Sequence, residues 1–215
     1  MDEAAPILRL IAAIQHRLHE RAAVDDGVGQ EAARVLALLD HLPGLAGAFT
    51  RCEHPSTRHL HGALAAGESG DAELLAAIRP VALYLPWRYS YATRDDAPGL
   101  EENMAFAEIV GPEAPYKTDR VCLGLTLIGP DTFYPPHAHP AIELYYVASG
   151  TATWTANGIP SRNSPGAFIL YPSQVVHAMH TQQEPLLAVY SWSGEDVKTL
   201  SEYSLSEPHR RTDGS

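Results

Sequence analysis

Apolar positions along the chain follow two different periods. Through about residue 80 they recur at helical spacing. Ile7, Ile11, Ile14 and Leu18 fall at three- and four-residue steps, which predicts one apolar helix face. Asp25-Asp26-Gly27 interrupts that pattern. A second helix is expected from about Gln30 to Leu42, apolar at Val35, Leu38, Leu39 and Leu42 and ended by Pro43-Gly44. Asp71 reads as the N-cap of a short third helix through Ile78, closed by Pro80.

From about Val81 the pattern changes to short runs rich in aromatic and β-branched residues, broken by proline and glycine. Strands are expected within Leu83–Tyr91 and over Met104–Val110, Val121–Ile128, Ile142–Val147, Thr151–Ala156, Ala167–Leu170, Val176–His180 and Leu186–Trp192. Asn157-Gly158 is a hairpin signal. Many short strands with turns between them predict a sandwich or barrel. Three segments follow: a helical segment over 1–80, a β-domain over 81–200 and a polar, fraying tail over 201–215.

Composition narrows the partners. The 215 residues are 45% hydrophobic, enough for one packed domain with a helical extension. The net charge of −11 opposes docking on a phosphate backbone or an anionic membrane surface, so neither nucleic acid nor membrane is an expected partner. Cys52 and Cys122 lie far apart and read as reduced thiols. Met1-Asp2-Glu3 is not a basic region followed by an apolar core, and no apolar run approaches the roughly 20 residues of a membrane span. A soluble, cytoplasmic protein is expected. The apolar helical segment is a candidate surface for a homodimer.

The candidate chemistry lies in Pro136-His137-Ala138-His139-Pro140-Ala141-Ile142-Glu143. Residues two apart on a strand share a face, so His137 and His139 can point together. Glu143 follows after Pro140 has redirected the chain, and His177 comes later, beyond Gly166 and Pro172. Imidazole nitrogens with one carboxylate suit a borderline divalent metal. His59-x-His61 lacks such company and reads as a solvated loop, and His180 is expected to face away from His177. These residues resemble the two motifs of the cupin superfamily. His137-x-His139, three residues, Glu143, six residues and Gly150 fit the first motif, with Asp131 where its leading glycine belongs. Gly166, Pro172 and His177 fit the second, with Gln174 and Thr181 where that motif has glycine and asparagine. The resemblance implies a mainly β fold, a jelly-roll-like cupin barrel with an N-terminal α-helical segment. It also implies one divalent metal ion per chain, for which iron, manganese, zinc, nickel and cobalt are all suitable.

Tyr145 should share the inward face of its strand with Glu143, close enough for a dication to favour its phenolate. A phenolate there can serve as a general base. Tyr134 is expected at the mouth of the site, and Trp192 on a late strand; aromatic faces attract organic cations. The run from Tyr134 to Val147, the Ser149-Gly150 turn, His177, Trp192 and the helical segment resemble the cupin-type dimethylsulfoniopropionate (DMSP) lyases of marine bacteria. The resemblance covers roughly residues 120 to 195 by motif. It implies metal-dependent cleavage of a small zwitterion to dimethyl sulfide and acrylate, with His137, His139, Glu143 and His177 as ligands. It implies Tyr145 as the base that takes the α-proton before β-elimination, with Trp192 near the sulfonium. The same residues also fit an iron-dependent cupin dioxygenase, or a metal-binding cupin without lyase activity. A sugar or keto-acid isomerase would need more basic residues near the site, whereas Arg162 is the sole lysine or arginine between Arg120 and Lys198.

Overall fold

The apolar stripe of the first helix packs into a core shared with other helices and a β-sheet. A computed structural model describes residues 4–42, 44–65 and 70–203. The helices are α1 (Ala4–Ala22), α2 (Gly27–Leu39), α3 (Leu60–Ala65), α4 (Ala72–Ile78) and α5 (Leu100–Asn103). Ile7, Leu10, Ile11, Ile14 and Leu18 of α1 are all buried, as their spacing predicts. Helix α2 starts three residues earlier than expected because the Asp26 side chain accepts from Gly29 N at 2.9 Å and caps it. At Gly29 a Cβ would lie 1.9 Å from the Val24 carbonyl oxygen, so this tight approach requires glycine. Asp71 caps α4 as expected, accepting from Leu74 N. Pro43, read as a helix stop, lies outside the described residues.

The strands are β1 (Trp87–Arg88), β2 (Met104–Gly111), β3 (Tyr116–Lys117), β4 (Cys122–Ile128), β5 (Phe133–Ala138), β6 (Ile142–Ser149), β7 (Ala152–Ala156), β8 (Ile159–Asn163), β9 (Phe168–Tyr171), β10 (His177–Thr181), β11 (Leu186–Ser193) and β12 (Glu202–Tyr203). One sheet has the order β1-β2-β4-β11-β6-β9, with β3 beside β2; the other has the order β12-β5-β10-β7-β8. All pairings are antiparallel except β2 with β3. The two sheets face each other in the jelly-roll manner, and no ladder among the described strands closes them into a continuous barrel. Asn157 and Gly158, at φ 47° and 81°, make the expected tight turn between β7 and β8.

Each face of the larger sheet has its own core. Leu144, Tyr146 and Ala148 of β6 and Leu187 and Val189 of β11 pack with the helices. Tyr145 and Val147, with Ala188, Tyr190 and Trp192, pack toward the smaller sheet. The strict two-residue alternation sends successive side chains into the two layers. The helices therefore share one core with the sheet. Their apolar stripe, which raised the homodimer expectation, is already buried inside the chain.

Several boundaries differ from the sequence reading for identifiable reasons. Only Trp87–Arg88 of the expected Leu83–Tyr91 strand pairs; Ala82–Tyr84 is a 3₁₀ turn. Strand geometry was expected at His137 and His139, whereas β5 runs from Phe133 to Ala138 although Pro135 and Pro136 cannot donate to a ladder. A bulge resolves this conflict: His177 opposes His137 while Met179 opposes Tyr134, so β5 carries an extra residue where the prolines sit. The tail expected from residue 201 is also corrected. Glu202 and Tyr203 pair with Ala138 and His137, extending the sheet past the predicted end, and the remaining tail lies outside the described residues.

Candidate metal centre

His137 is the last residue but one of β5, His139 follows in the connecting loop, Glu143 sits on β6 and His177 opens β10. They are 1%, 3%, 2% and 1% exposed. His139, Glu143 and His177 each bring a ligand atom within 4.8 Å of the other two. His139 Nε2 is 3.0 Å and His177 Nε2 3.1 Å from the same oxygen, Glu143 Oε2. His137 lies outside that group of three; its ring centroid is 4.0 Å from that of His177.

The histidine tautomers follow from their other nitrogens. His137 Nδ1 is 2.7 Å from Pro135 O, His139 Nδ1 is 3.0 Å from Ala141 O, and His177 Nδ1 is 2.9 Å from Val175 O. A carbonyl oxygen only accepts, so each Nδ1 carries the hydrogen. Each neutral ring is then left with its lone pair on Nε2. Two such lone pairs facing one carboxylate oxygen repel it unless a proton or a cation lies among them. His177 Nε2 is buried without a well-directed hydrogen bond among the described residues. Second-sphere carbonyls of this kind orient metal-bound imidazoles. The donor set and its protonation pattern therefore fit a divalent cation.

The charges are consistent with this geometry. Burial pushes the Glu143 carboxyl toward protonation, but His139 and His177 outweigh it and hold the group below its ordinary range. Burial depresses His139, and Glu143 more than restores it, leaving it raised. His137 is driven well below its ordinary value by burial and then by His177, so it remains neutral. Tyr145 is pushed up by burial and then by the Glu143 carboxylate.

The inner face of the larger sheet forms a grid around Glu143. Across the ladders Glu143 opposes Trp192 on one side and Tyr171 on the other; in the next row Tyr145 opposes Tyr190 and Ile169. Trp192 Nε1 donates to Glu143 Oε1 at 2.7 Å, and its ring lies 4.3 Å from that of His139. Tyr145 is 1% exposed and meets Trp154 edge-on at 5.0 Å. Tyr134 is not at an open mouth: it is 1% exposed and stacks on the His137 ring at 4.0 Å, because the β5 bulge turns it inward.

A cavity of about 240 Å³ reaches Glu143 and Trp192 between Tyr91, Phe106, Cys122 and Tyr190. Its outer wall holds Arg88, paired with Glu108 at 2.9 Å, and Lys198, paired with Asp119 at 2.8 Å. A count along the chain does not show Arg88 near the site, because the β1–β2 ladder brings it in from elsewhere. Cys52 and Cys122 are free thiols. His180 is exposed, as expected. His59 is not in a solvated loop: it is half-buried, lies 3.2 Å from Asn103 Oδ1 and packs against Gly129.

The departures from the glycine pattern have structural substitutes. Asp131 and Gln174 adopt left-handed φ of 50° and 63° despite their side chains. Asp131 N donates to Gln182 O at 2.6 Å, and Gln174 N donates to His139 O at 2.9 Å. Thr181 is fully buried, and its Oγ1 donates to Gly129 O and accepts from Thr132 N. Main-chain bonds thus hold the turns where the pattern would place glycine, and the Thr181 hydroxyl bonds where it would place asparagine.

Comparison with known proteins gives a consistent result. The model of the dimethylsulfoniopropionate lyase family matches residues 29–188. A putative dimethylsulfoniopropionate lyase, DddL, of Cereibacter sphaeroides is 35% identical over 146 residues, covering 67% of this chain and 61% of the relative. The dimethylsulfoniopropionate lyase DddQ of Ruegeria pomeroyi is 28% identical over 110 residues, covering 51% and 55% respectively. The matched segment thus spans less than two thirds of either relative. A crystal structure from a study of the DMSP lyases RdDddP and RnDddQII superposes with a TM-score of 0.78 at 22% identity, over 95% of this chain and 100% of the other. That of DddQ from Ruegeria pomeroyi gives 0.66 at 23% identity, over 90% and 96%. At these identities the superpositions establish the shared fold.

Proposed function

The chain belongs to the dimethylsulfoniopropionate lyase family, and from that premise we propose that it cleaves dimethylsulfoniopropionate to dimethyl sulfide and acrylate beside Glu143. The observation that carries this reading is the buried convergence of Nδ1-clamped histidines on Glu143, with Tyr145 two residues further along the same face. His137, His139, Glu143 and His177 would hold one divalent ion. When bound, that ion supplies Lewis acidity toward the substrate carboxylate and a positive field favouring the Tyr145 phenolate.

The remaining roles belong to the side chains. Tyr145 Oη takes the proton from the carbon next to the carboxylate. The electron pair left behind forms the double bond of acrylate. The carbon–sulfur bond breaks with its pair on sulfur, which leaves as neutral dimethyl sulfide. Trp192 fixes Glu143 through its indole N–H. Tyr91, Phe106, Tyr190 and Trp192 line the cavity, and their faces suit a sulfonium. Tyr134 supports His137 by stacking, which differs from the substrate contact first expected of it. The reading calls for a small zwitterionic substrate and for no nucleic-acid or membrane partner, and it places the reaction in the cytoplasm.

Headspace gas chromatography on metal-loaded protein with dimethylsulfoniopropionate tests this. Wild type is expected to release dimethyl sulfide. Tyr145→Phe is expected to keep its metal and lose about 10²–10⁴-fold in rate, the usual weight of a general base. Full metal occupancy with no dimethyl sulfide, or with oxygen consumption instead, would overturn the lyase reading.

A further inference from the structure

Tyr171 has no role in the scheme above, yet it touches the site at several points. It lies directly across the β6–β9 ladder from Glu143, so both side chains occupy the same sheet face. Its ring stacks on the His177 ring at 4.2 Å and 19°, and it meets the Tyr145 ring edge-on at 6.3 Å. It is 2% exposed. Its hydroxyl has no hydrogen-bond partner among the described residues. A phenylalanine would stack equally well without burying an unpaired polar atom.

The nearby acceptors already have partners. Glu143 Oε1 accepts from Trp192, and Glu143 Oε2 faces His139 and His177. Trp154 repeats the pattern from the opposite sheet: its indole N–H, which can only donate, is buried without an acceptor among the described residues, and its ring packs on Tyr145. Donors without acceptors therefore flank Tyr145 on both sides. Their natural complement is a ligand rich in anionic oxygen.

We propose that Tyr171 is a substrate-binding residue whose hydroxyl donates a hydrogen bond to a carboxylate oxygen of the ligand held beside Glu143. The identification of that ligand as a carboxylate rests on the proposed function; the unpartnered hydroxyl does not.

Calorimetric titration of sodium acrylate into metal-loaded wild type and Tyr171→Phe, with metal content and melting temperature measured without acrylate, tests this. Tyr171→Phe is expected to retain its metal and to melt no lower than wild type, since it sheds an unpaired buried hydroxyl. It is expected to bind acrylate about tenfold more weakly, the loss of one charge-assisted hydrogen bond. Unchanged acrylate affinity overturns the assignment. So does a lower melting temperature or lost metal, because the hydroxyl would then be structural. Wild type that releases dimethyl sulfide while both proteins bind acrylate equally sinks Tyr171 alone. Wild type that neither binds acrylate nor releases dimethyl sulfide sinks the lyase reading as well.

Discussion

The two faces of the larger sheet are built from the same strands and solve opposite problems. On the helix side, β6 and β11 present Leu144, Ala148, Leu187 and Val189 to the helices, and the layer is almost entirely hydrocarbon. Polar groups there are bonded across the layer: the Tyr146 hydroxyl donates to Asp71 at 2.7 Å, Asp71 is in turn bound by Arg17, and Ser193 Oγ of β11 donates to the Glu31 carboxylate of α2. On the inner side the same strands present Glu143, Tyr145, Tyr190 and Trp192. There, the Trp154 N–H, the Tyr171 hydroxyl and His177 Nε2 remain without hydrogen-bond partners among the described residues. Tyr146–Asp71 and Ser193–Glu31 bonds cross the outer layer, whereas the inner layer leaves several polar atoms unpaired around Glu143 among the described residues. Stability should therefore reside mainly outside and chemistry inside, with one residue step along a strand separating them.

The largest effect should come from His177→Ala. It should abolish dimethyl sulfide release, with a loss of metal affinity exceeding the about 10–100-fold typical of changes behind the ligands. Metal analysis by mass spectrometry alongside headspace assay would show it, and retained metal would break the division of labour. Next comes Leu144→Ala, the residue between Glu143 and Tyr145, which is 2% exposed on the helix face. It should cost about 2–5 kcal/mol of stability in denaturant melts, as buried leucine truncations do, with metal content unchanged at low temperature. Lost metal at unchanged stability would show that the faces are not independent.

The smallest effect concerns pH. Burial raises the Asp71 carboxyl, but hydrogen bonds from Arg17, Tyr146 and Leu74 N outweigh it and bring it from 3.8 to about 2. A carboxyl depressed in the folded state adds stability above its unfolded value and loses it as pH falls through the folded one. The clamp should therefore weaken between about pH 4 and pH 2, equally with and without a chelator. Asp71→Asn should remove that part of the acid dependence in melting curves. A dependence that vanished on chelation would assign the titration to the inner face instead.

Much of this division was legible in the sequence. Helical spacing at Ile7, Ile11, Ile14 and Leu18 marked a buried face, and alternation along 142–147 separated Glu143 and Tyr145 from Leu144 and Tyr146. The spacing of His137, His139 and Glu143 is local and so marked where the histidine–glutamate cluster forms. Relations across ladders were not legible. That Trp192 would bond Glu143, or that Tyr171 would oppose it, depends on registers between strands distant in sequence. The extent of strand β5 was hidden because proline argues against pairing, and only the bulge reconciles the two. Arg88, unlike Trp192, escaped notice: it lines the same cavity as Glu143 but lies far from it in sequence.

The carbonyl clamps on the three histidines bear on how such a site persists under mutation. Pro135, Ala141 and Val175 contribute through main-chain oxygen atoms, which every residue carries. A replacement at any of them that preserves the backbone path leaves the proton on Nδ1 and the lone pair on Nε2. The side chains beside the histidines can drift without altering what the imidazoles offer. The neighbourhood of the site can then be rewritten, and the pocket reshaped, while the imidazole lone pairs keep their direction toward Glu143.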